Sequence, residues 1–259
     1  MNLGLEQQVA FVAGSSRGIG RAIAEALLSE GASVVLTGRN EASLLECEAR
    51  MQAAHGGDRV LSICGDFTHS AVIDAAVERA LGRFGRLDHL IANIGSGSGV
   101  PGWQQGPEEW QRLFELNFFA SVRLTQAVLP RFLANPGGGH ILYMASITGV
   151  EATTAPLPYS AAKAALINYA KNLARQLGHR GVRVNTIAPG NVWFKGGSWA
   201  AHQAARPDAV DAMLQAEVPQ RRFGETHEIA SLAAYLCSRQ AGFSTGACYV
   251  VDGGQTRSL

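Results

Sequence analysis

The stretch VAFVAGSSRGIGRAIAEALLS, Val9 to Ser29, changes its hydrophobic period partway along. VAFVA is short, apolar and partly β-branched, the pattern of a strand buried on both faces. From Ile19 to Ser29 the apolar residues recur at helical spacing. Between the two runs, Gly14, Gly18 and Gly20 follow G-x-x-x-G-x-G rather than G-x-G-x-x-G. Glycine lets a backbone turn and approach a pyrophosphate closely, while the unpaired N–H groups and dipole of a helix N-terminus attract its charge. Gly14, Ser15, Ser16, Arg17, Gly18, Ile19 and Gly20 are therefore a candidate dinucleotide phosphate site.

The same alternation continues along the chain. SVVLT, VLSIC, DHLIAN, HILYMA, VRVNTIA and ACYVVD are short apolar runs, and helical spacing covers 41–53, 71–81, 108–133, 158–178 and 225–238. Repeated βαβ units predict an α/β fold, a parallel sheet with helices on both faces. At 259 residues one domain over 1–259 is expected. The long stretch from Pro189 to Pro207 reads as irregular and aromatic, and a substrate loop or lid is expected at about 191–218.

Composition narrows the function. A net charge of +1 gives no general field for nucleic acid or an anionic membrane. Cys47, Cys64, Cys237 and Cys248 are widely spaced without C-x-x-C, which predicts buried free thiols in a reducing compartment. No basic leader precedes a long apolar stretch, and nowhere do about eighteen apolar residues run together, so a cytoplasmic protein is expected. The histidines form no H-x-x-x-H or other ligand spacing, so no metal is expected, and His89 and His140 read as structural.

The second strand bears on the dinucleotide. Where a carboxylate would accept from a free ribose, Gly38 is followed by Arg39. Arg39 and Arg17 would bind a 2′-phosphate, with Thr37, Ser15 or Ser16 adding hydrogen bonds, so NADPH is expected over NADH. Asp66 and Phe67 end the third strand, where the carboxylate would accept from an adenine amino group; Asn93 and Gly95 would pass the ribose.

In PYSAAKAAL, Tyr159 and Lys163 stand four apart on one helical face. An ammonium beside a phenol stabilises the phenolate, lowering a pKa near about 10. Ser146 lies thirteen residues before Tyr159, and Asn117 interrupts an apolar helix.

Together, G-x-x-x-G-x-G, ANIG (92–95), Asn117, Ser146, Tyr159, Lys163, APG (188–190) and VVDGG (250–254) resemble the classical short-chain dehydrogenases/reductases, over essentially the whole chain. The resemblance implies a seven-stranded parallel Rossmann sheet and hydride transfer between a nicotinamide and a carbonyl or alcohol carbon. It implies that Tyr159 protonates the carbonyl oxygen, Ser146 holds it, Lys163 lowers the tyrosine pKa and binds ribose, and Asn117 supports a water relay. Pro189, Gly190 and Val192 resemble the segment whose backbone contacts the nicotinamide. It also implies a homotetramer built on the long helices after the fourth and fifth strands. Three positions depart from the pattern: Ala13 for a common threonine, Ala92 and Ile94 within N-N-A-G, and Phe194 for a threonine that contacts the carboxamide.

The substrate pocket is expected from Ser96 to Trp103, Glu151 to Leu157 and Trp193 to about Met213. Trp103, Leu157, Trp193, Phe194 and Trp199 there favour an apolar or acyl substrate, with Gly196 and Gly197 as lid hinges. The leading reading is an NADPH-dependent ketone reductase similar to 3-oxoacyl-acyl-carrier-protein reductases, with Arg123 and Arg131 as candidate docking charges for an acyl carrier. An alcohol or sugar dehydrogenase working oxidatively is the alternative, and a dinucleotide-binding regulatory protein a third.

Overall fold

The computed structural model describes residues 3–100 and 102–258. The outermost ends of the expected domain, and Pro101 within the expected pocket segment Ser96 to Trp103, lie outside them.

Along the chain the first half runs β1 (Val9–Ala13), α1 (Gly18–Ser29), β2 (Ser33–Gly38), α2 (Glu41–His55), β3 (Val60–Cys64), α3 (Ser70–Phe84) and β4 (His89–Ala92). It continues with α4 (Pro107–Phe114), a widened turn over Glu115–Phe119, α5 (Ala120–Ala134), β5 (Gly139–Met144), α6 (Leu157–Leu177) and β6 (Val182–Pro189). The last part is β7 (Val192–Trp193), α7 (Ser198–Ala205), α8 (Pro207–Glu217), β8 (Gly224–Glu225), α9 (Thr226–Cys237) and β9 (Cys248–Val251).

Seven strands form one sheet in the order β3-β2-β1-β4-β5-β6-β9, all pairs parallel; β7 and β8 pair separately. Because alternate strand residues face opposite ways, a strand covered on both sides must be apolar throughout. In β1, Ala10 and Val12 enter a core with Ile23, Leu27 and Ile229 of α1 and α9. Val9, Phe11 and Ala13 enter the other core, with Leu124 and Val128 of α5 and Leu166 of α6. This doubly wound Rossmann sheet reverses strand order beside β1, whose neighbours are β2 and β4. Ligands of such sheets bind at the carboxyl ends beside that reversal.

The expected helix over 108–133 runs unbroken through α4, the widened turn and α5, its middle bonding i→i+5 at Glu115–Phe119. One expectation from the sequence is corrected: the stretch 189–207 is not wholly irregular, because after the β7 pairing Gly197 caps the N-terminus of α7.

Candidate active site

A cleft of about 1730 Å³ opens at the carboxyl ends of β1, β4, β5 and β6. The glycine loop forms its floor. Gly14 and Gly18 hold φ of +70° and +59°, a region L side chains rarely adopt. A Cβ on Gly20 would run into the Gly14 carbonyl oxygen, so α1 can approach the loop only with glycine there. Asn93, just beyond β4, donates from Nδ2 to the Gly14 carbonyl at 2.9 Å and braces the turn.

The loop's hydroxyls are partly spent. Ser15 Oγ donates to the Val12 carbonyl at 2.8 Å and accepts from Thr37 N at 2.9 Å, while Thr37 Oγ1 accepts from Gly14 N at 3.0 Å. These bonds stitch β1 to β2 inside the protein. The expected side-chain contact of Ser15 with phosphate is therefore corrected, because its hydroxyl is used as both donor and acceptor inside the protein, whereas Ser16 and Thr37 line the cleft.

Arg17 and Arg39 both line the cleft, and among the described residues neither joins an ion pair. Arg17 Nη1 donates to the Gly196 carbonyl at 2.8 Å. Burial would raise the Asp66 carboxyl pKa, but bonds from the Thr68 N–H and hydroxyl, with the Arg39 charge, hold it below its ordinary value. Both Thr68 bonds fall on Oδ1, which leaves Oδ2 for another donor. Phe67 packs edge-on to Phe11 at 5.9 Å and also lines the cleft.

Ser146, Tyr159 and Lys163 meet at the next stretch of wall. Burial raises the Tyr159 phenol above its usual pKa, and a hydrogen bond with Ser146 works against that rise. Lys163, only 3% exposed, donates from Nζ to the Met144 carbonyl at 2.7 Å, and burial pushes its ammonium down to about 8. Its Nζ sits 5.8 Å from the Tyr159 ring centroid. The ammonium is thus shared between the β5 carbonyl and the face of the phenol ring. Gly95 makes room here: a Cβ would come within 2.7 Å of Asn117 Oδ1 and 3.1 Å of Lys163 Nζ.

Asn117 lies fully buried in the widened turn. Its Oδ1 accepts from Ser96 N at 3.0 Å, and its Nδ2 donates to the carbonyls of Leu113 at 3.0 Å and Ser96 at 3.2 Å. Such widened turns are rare and recur at functional sites. Asn117 thus stands behind the cleft wall rather than in it, anchoring the Ser96 loop. Pro189, Gly190 and Val192 line the cleft opposite.

The aromatic residues divide differently from expectation. Phe194 and Trp199 line the cleft, whereas Trp103, Leu157 and Trp193 do not, at 79%, 45% and 41% exposure. The Phe194 ring lies on Gly18 and against Gly197, where a Cβ on either glycine would be within 3.0 Å of it. Ser96, Ser98, Glu151, Thr153, Thr154, His202, Arg206 and Arg257 also border the cleft. Residues 257 and 258 close against the cleft rim, where Glu151 Oε2 accepts from Arg257 N at 2.8 Å and Ser258 N at 2.9 Å. No local pattern signals a contact across 106 residues.

The sheet, glycine loop and Ser–Tyr–Lys wall define a nicotinamide dinucleotide oxidoreductase, and the chain belongs to the short-chain dehydrogenase/reductase family, acting between CH–OH and C=O groups. Residues 13–256 match the family model described as Enoyl-(Acyl carrier protein) reductase. The 3-oxoacyl-[acyl-carrier-protein] reductase FabG of Escherichia coli (strain K12) is 34% identical over 252 residues, 97% of this chain and 98% of that protein. The 7alpha-hydroxysteroid dehydrogenase of the same organism is 32% identical, covering 100% of this chain and 98% of that one. L-Sorbose reductase from Gluconobacter frateurii, solved with NADPH and L-sorbose, superposes with TM-score 0.92 at 34% identity over 100% of both chains. Among the described residues no helix is long and apolar enough to cross a membrane.

Proposed function

We propose that this chain is an NADPH-dependent ketone reductase acting on 3-oxoacyl-type substrates. The observation that carries the reading is the meeting of Ser146, Tyr159 and Lys163 in the same cleft as the glycine loop. The cradle fits a dinucleotide: close backbone, positive-φ glycines and two arginines that join no ion pair among the described residues. Gly14, Ser16, Arg17, Gly18, Ile19 and Gly20 would hold the pyrophosphate, Asp66 and Phe67 the adenine, and Asn93, Gly95 and Lys163 the ribose. Pro189, Gly190 and Val192 would hold the nicotinamide end, and Arg39 with Arg17 would take the 2′-phosphate. The bound cofactor supplies hydride.

The protein's own part is orientation and proton supply. Ser146 holds the carbonyl oxygen, and Tyr159, whose raised pKa keeps it protonated at neutral pH, gives that oxygen its proton. Lys163 supports the phenol's recharging. Asn117 holds the Ser96 loop and the far end of a proton path. Residues 191–218 act as a lid over the cleft, with Gly196, at φ +79°, as hinge. The half-exposed Trp110 and Phe119 belong to the helices on which a homotetramer would assemble.

A second reading, a sugar or alcohol enzyme, is favoured by the polar rim of Ser98, Thr153, Thr154 and Arg206. Arg123 and Arg131 lend little to an acyl-carrier dock, since they pair with Glu115 at 2.8 Å and Glu78 at 2.6 Å.

Fluorescence titration with NADPH and NADH, followed by a panel of 3-oxoacyl thioesters, ketohexoses and cyclic ketones, tests both parts. NADPH is expected to bind more tightly, and Arg39→Ala to narrow the preference by roughly ten- to a hundredfold, the scale of one charged hydrogen-bonded contact. Tighter NADH binding defeats the arginine argument; turnover of ketohexoses without thioesters transfers the substrate to the second reading.

A further inference from the structure

At the opposite end of the sheet, the first residue of β4, the second of β5 and the last of α9 converge. One ring nitrogen each of His89 and His140 lies, with Cys237 Sγ, inside a group whose members are all within 4.8 Å of one another. The three side chains are 4%, 2% and 3% exposed. His89 Nε2 meets Gln8 Oε1 at 2.5 Å, and because that oxygen only accepts, Nε2 carries the ring proton and Nδ1 a bare lone pair. The Nδ1 atoms of both histidines are buried with no hydrogen-bond partner among the described residues. Among the described residues His140 Nε2 has only the Asn185 amide, at 3.4 Å. None of these groups has a part in the cofactor cleft.

We propose that His89, His140 and Cys237 bind one soft d10 cation, Zn2+ or Cu+, through the two Nδ1 atoms and Sγ. Two imidazoles and a thiolate are the ligand set such ions select. Binding releases the thiol proton, so affinity rises with pH. His140 must also move its ring proton from Nδ1 to Nε2 and give up the long Asn185 contact. Gln8 already orients His89, as an outer carbonyl does at metal-bound imidazoles. The charges facing the group are Arg183, whose guanidinium donates to the carbonyls of Leu236, Ser238 and Ser244, and, beside His89, the paired Asp88 and Arg86. The thiolate offsets the charge of Cu+ fully and of Zn2+ in part. Bonds of about 2.0–2.3 Å place the donors roughly 3.5 Å apart, so the three side chains close inward on binding. The ion would clip β4, β5 and α9 together.

The test is metal content of the full-length chain purified without chelator, then Co2+, Zn2+ and anaerobic Cu+ titration of the stripped protein. One ion per chain is expected, together with a thiolate-to-Co2+ absorption band. Cys237→Ser should abolish the band with the circular dichroism unchanged, while Cys64→Ser, at the exposed thiol, should keep it. Loading should raise the melting midpoint of the native chain but not of His89→Gln. If a variant fails to fold, the native chain decides alone: a folded chain with no equimolar ion and no band, or a band surviving Cys237→Ser, overturns the site. Whether Zn2+ or Cu+ is retained identifies the ion.

Discussion

At the carboxyl ends of β1, β4 and β5 the chain leaves Gly14, Asn93 and Ser146 beside an open cleft; at the amino ends of β4 and β5 it seals Asp88, His89 and His140 under other residues. Arg86 holds Asp88 with bonds of 2.9 and 2.7 Å, and Asp88 Oδ2 accepts from the first residue of β1, Val9 N, at 2.9 Å. Both ends carry titratable groups, yet their states differ. At the open end Lys163 and Tyr159 line the cleft, burial pushing the ammonium down to about 8 and the phenol above its ordinary value. At the sealed end His89 is held neutral, burial pushing its pKa down to about 4 against the opposing Asp88 charge, and the Cys237 thiol is pushed up to about 12. Placement around one sheet thus decides which polar residues can exchange protons and which are locked in one state.

The largest expected effect breaks the open end alone. Tyr159→Phe removes the proton donor without altering shape, and turnover should fall by about a thousandfold or more, the upper range for a positioned acid. Cofactor affinity and the melting midpoint should stay within error; a variant retaining a tenth of the activity would place the proton supply elsewhere.

The next effect belongs to the sealed end. Below pH 6.5 the unfolded chain protonates His89, whereas the folded chain resists until about 4. Stability should therefore be level above that window and decline as pH falls through it, by about 3 kcal/mol at its acid end from this residue. His140, also held well below its ordinary value by burial, adds to the same slope. Urea unfolding at pH 7.5, 5.5 and 4.5 in chelator measures it, and His89→Gln should flatten it. An unchanged slope in that variant assigns the acid sensitivity to other groups.

A smaller effect sharpens the boundary between the ends. Gly20 lies inside α1, where alanine would ordinarily stabilise a helix by roughly 1 kcal/mol. Here its Cβ meets the Gly14 carbonyl, so Gly20→Ala should instead lose about 1–3 kcal/mol and weaken dinucleotide binding. Calorimetry with and without NADPH reads both; a stabilised variant would show that the loop yields.

Much of the fold was legible because its signals are local. Each of the seven apolar runs became a sheet strand, since burial on both faces requires an unbroken apolar stretch. The Tyr159–Lys163 spacing and the glycine loop were legible for the same reason: a helix turn and a tight turn are short-range geometry. The irregular reading of 189–207 failed because the short α7 draws its stability from packing, as with Trp199 on Phe223 at 5.4 Å between ring centroids. Cys64 proved exposed because edge strand β3 turns it outward, against the expectation of burial.

By itself the sequence determined the sheet, the phosphate loop and the phenol–ammonium pair, because each is set within a few residues by steric and hydrophobic periodicity. Only the tertiary structure decided that Ser15 turns inward, that Phe194 rests on Gly18, and that Lys163 bonds the Met144 carbonyl beside the Tyr159 ring. It alone decided that His89, His140 and Cys237 meet. Strand order and register bring together groups far apart in the chain, and burial then sets their charge; neither is written in the spacing of neighbours.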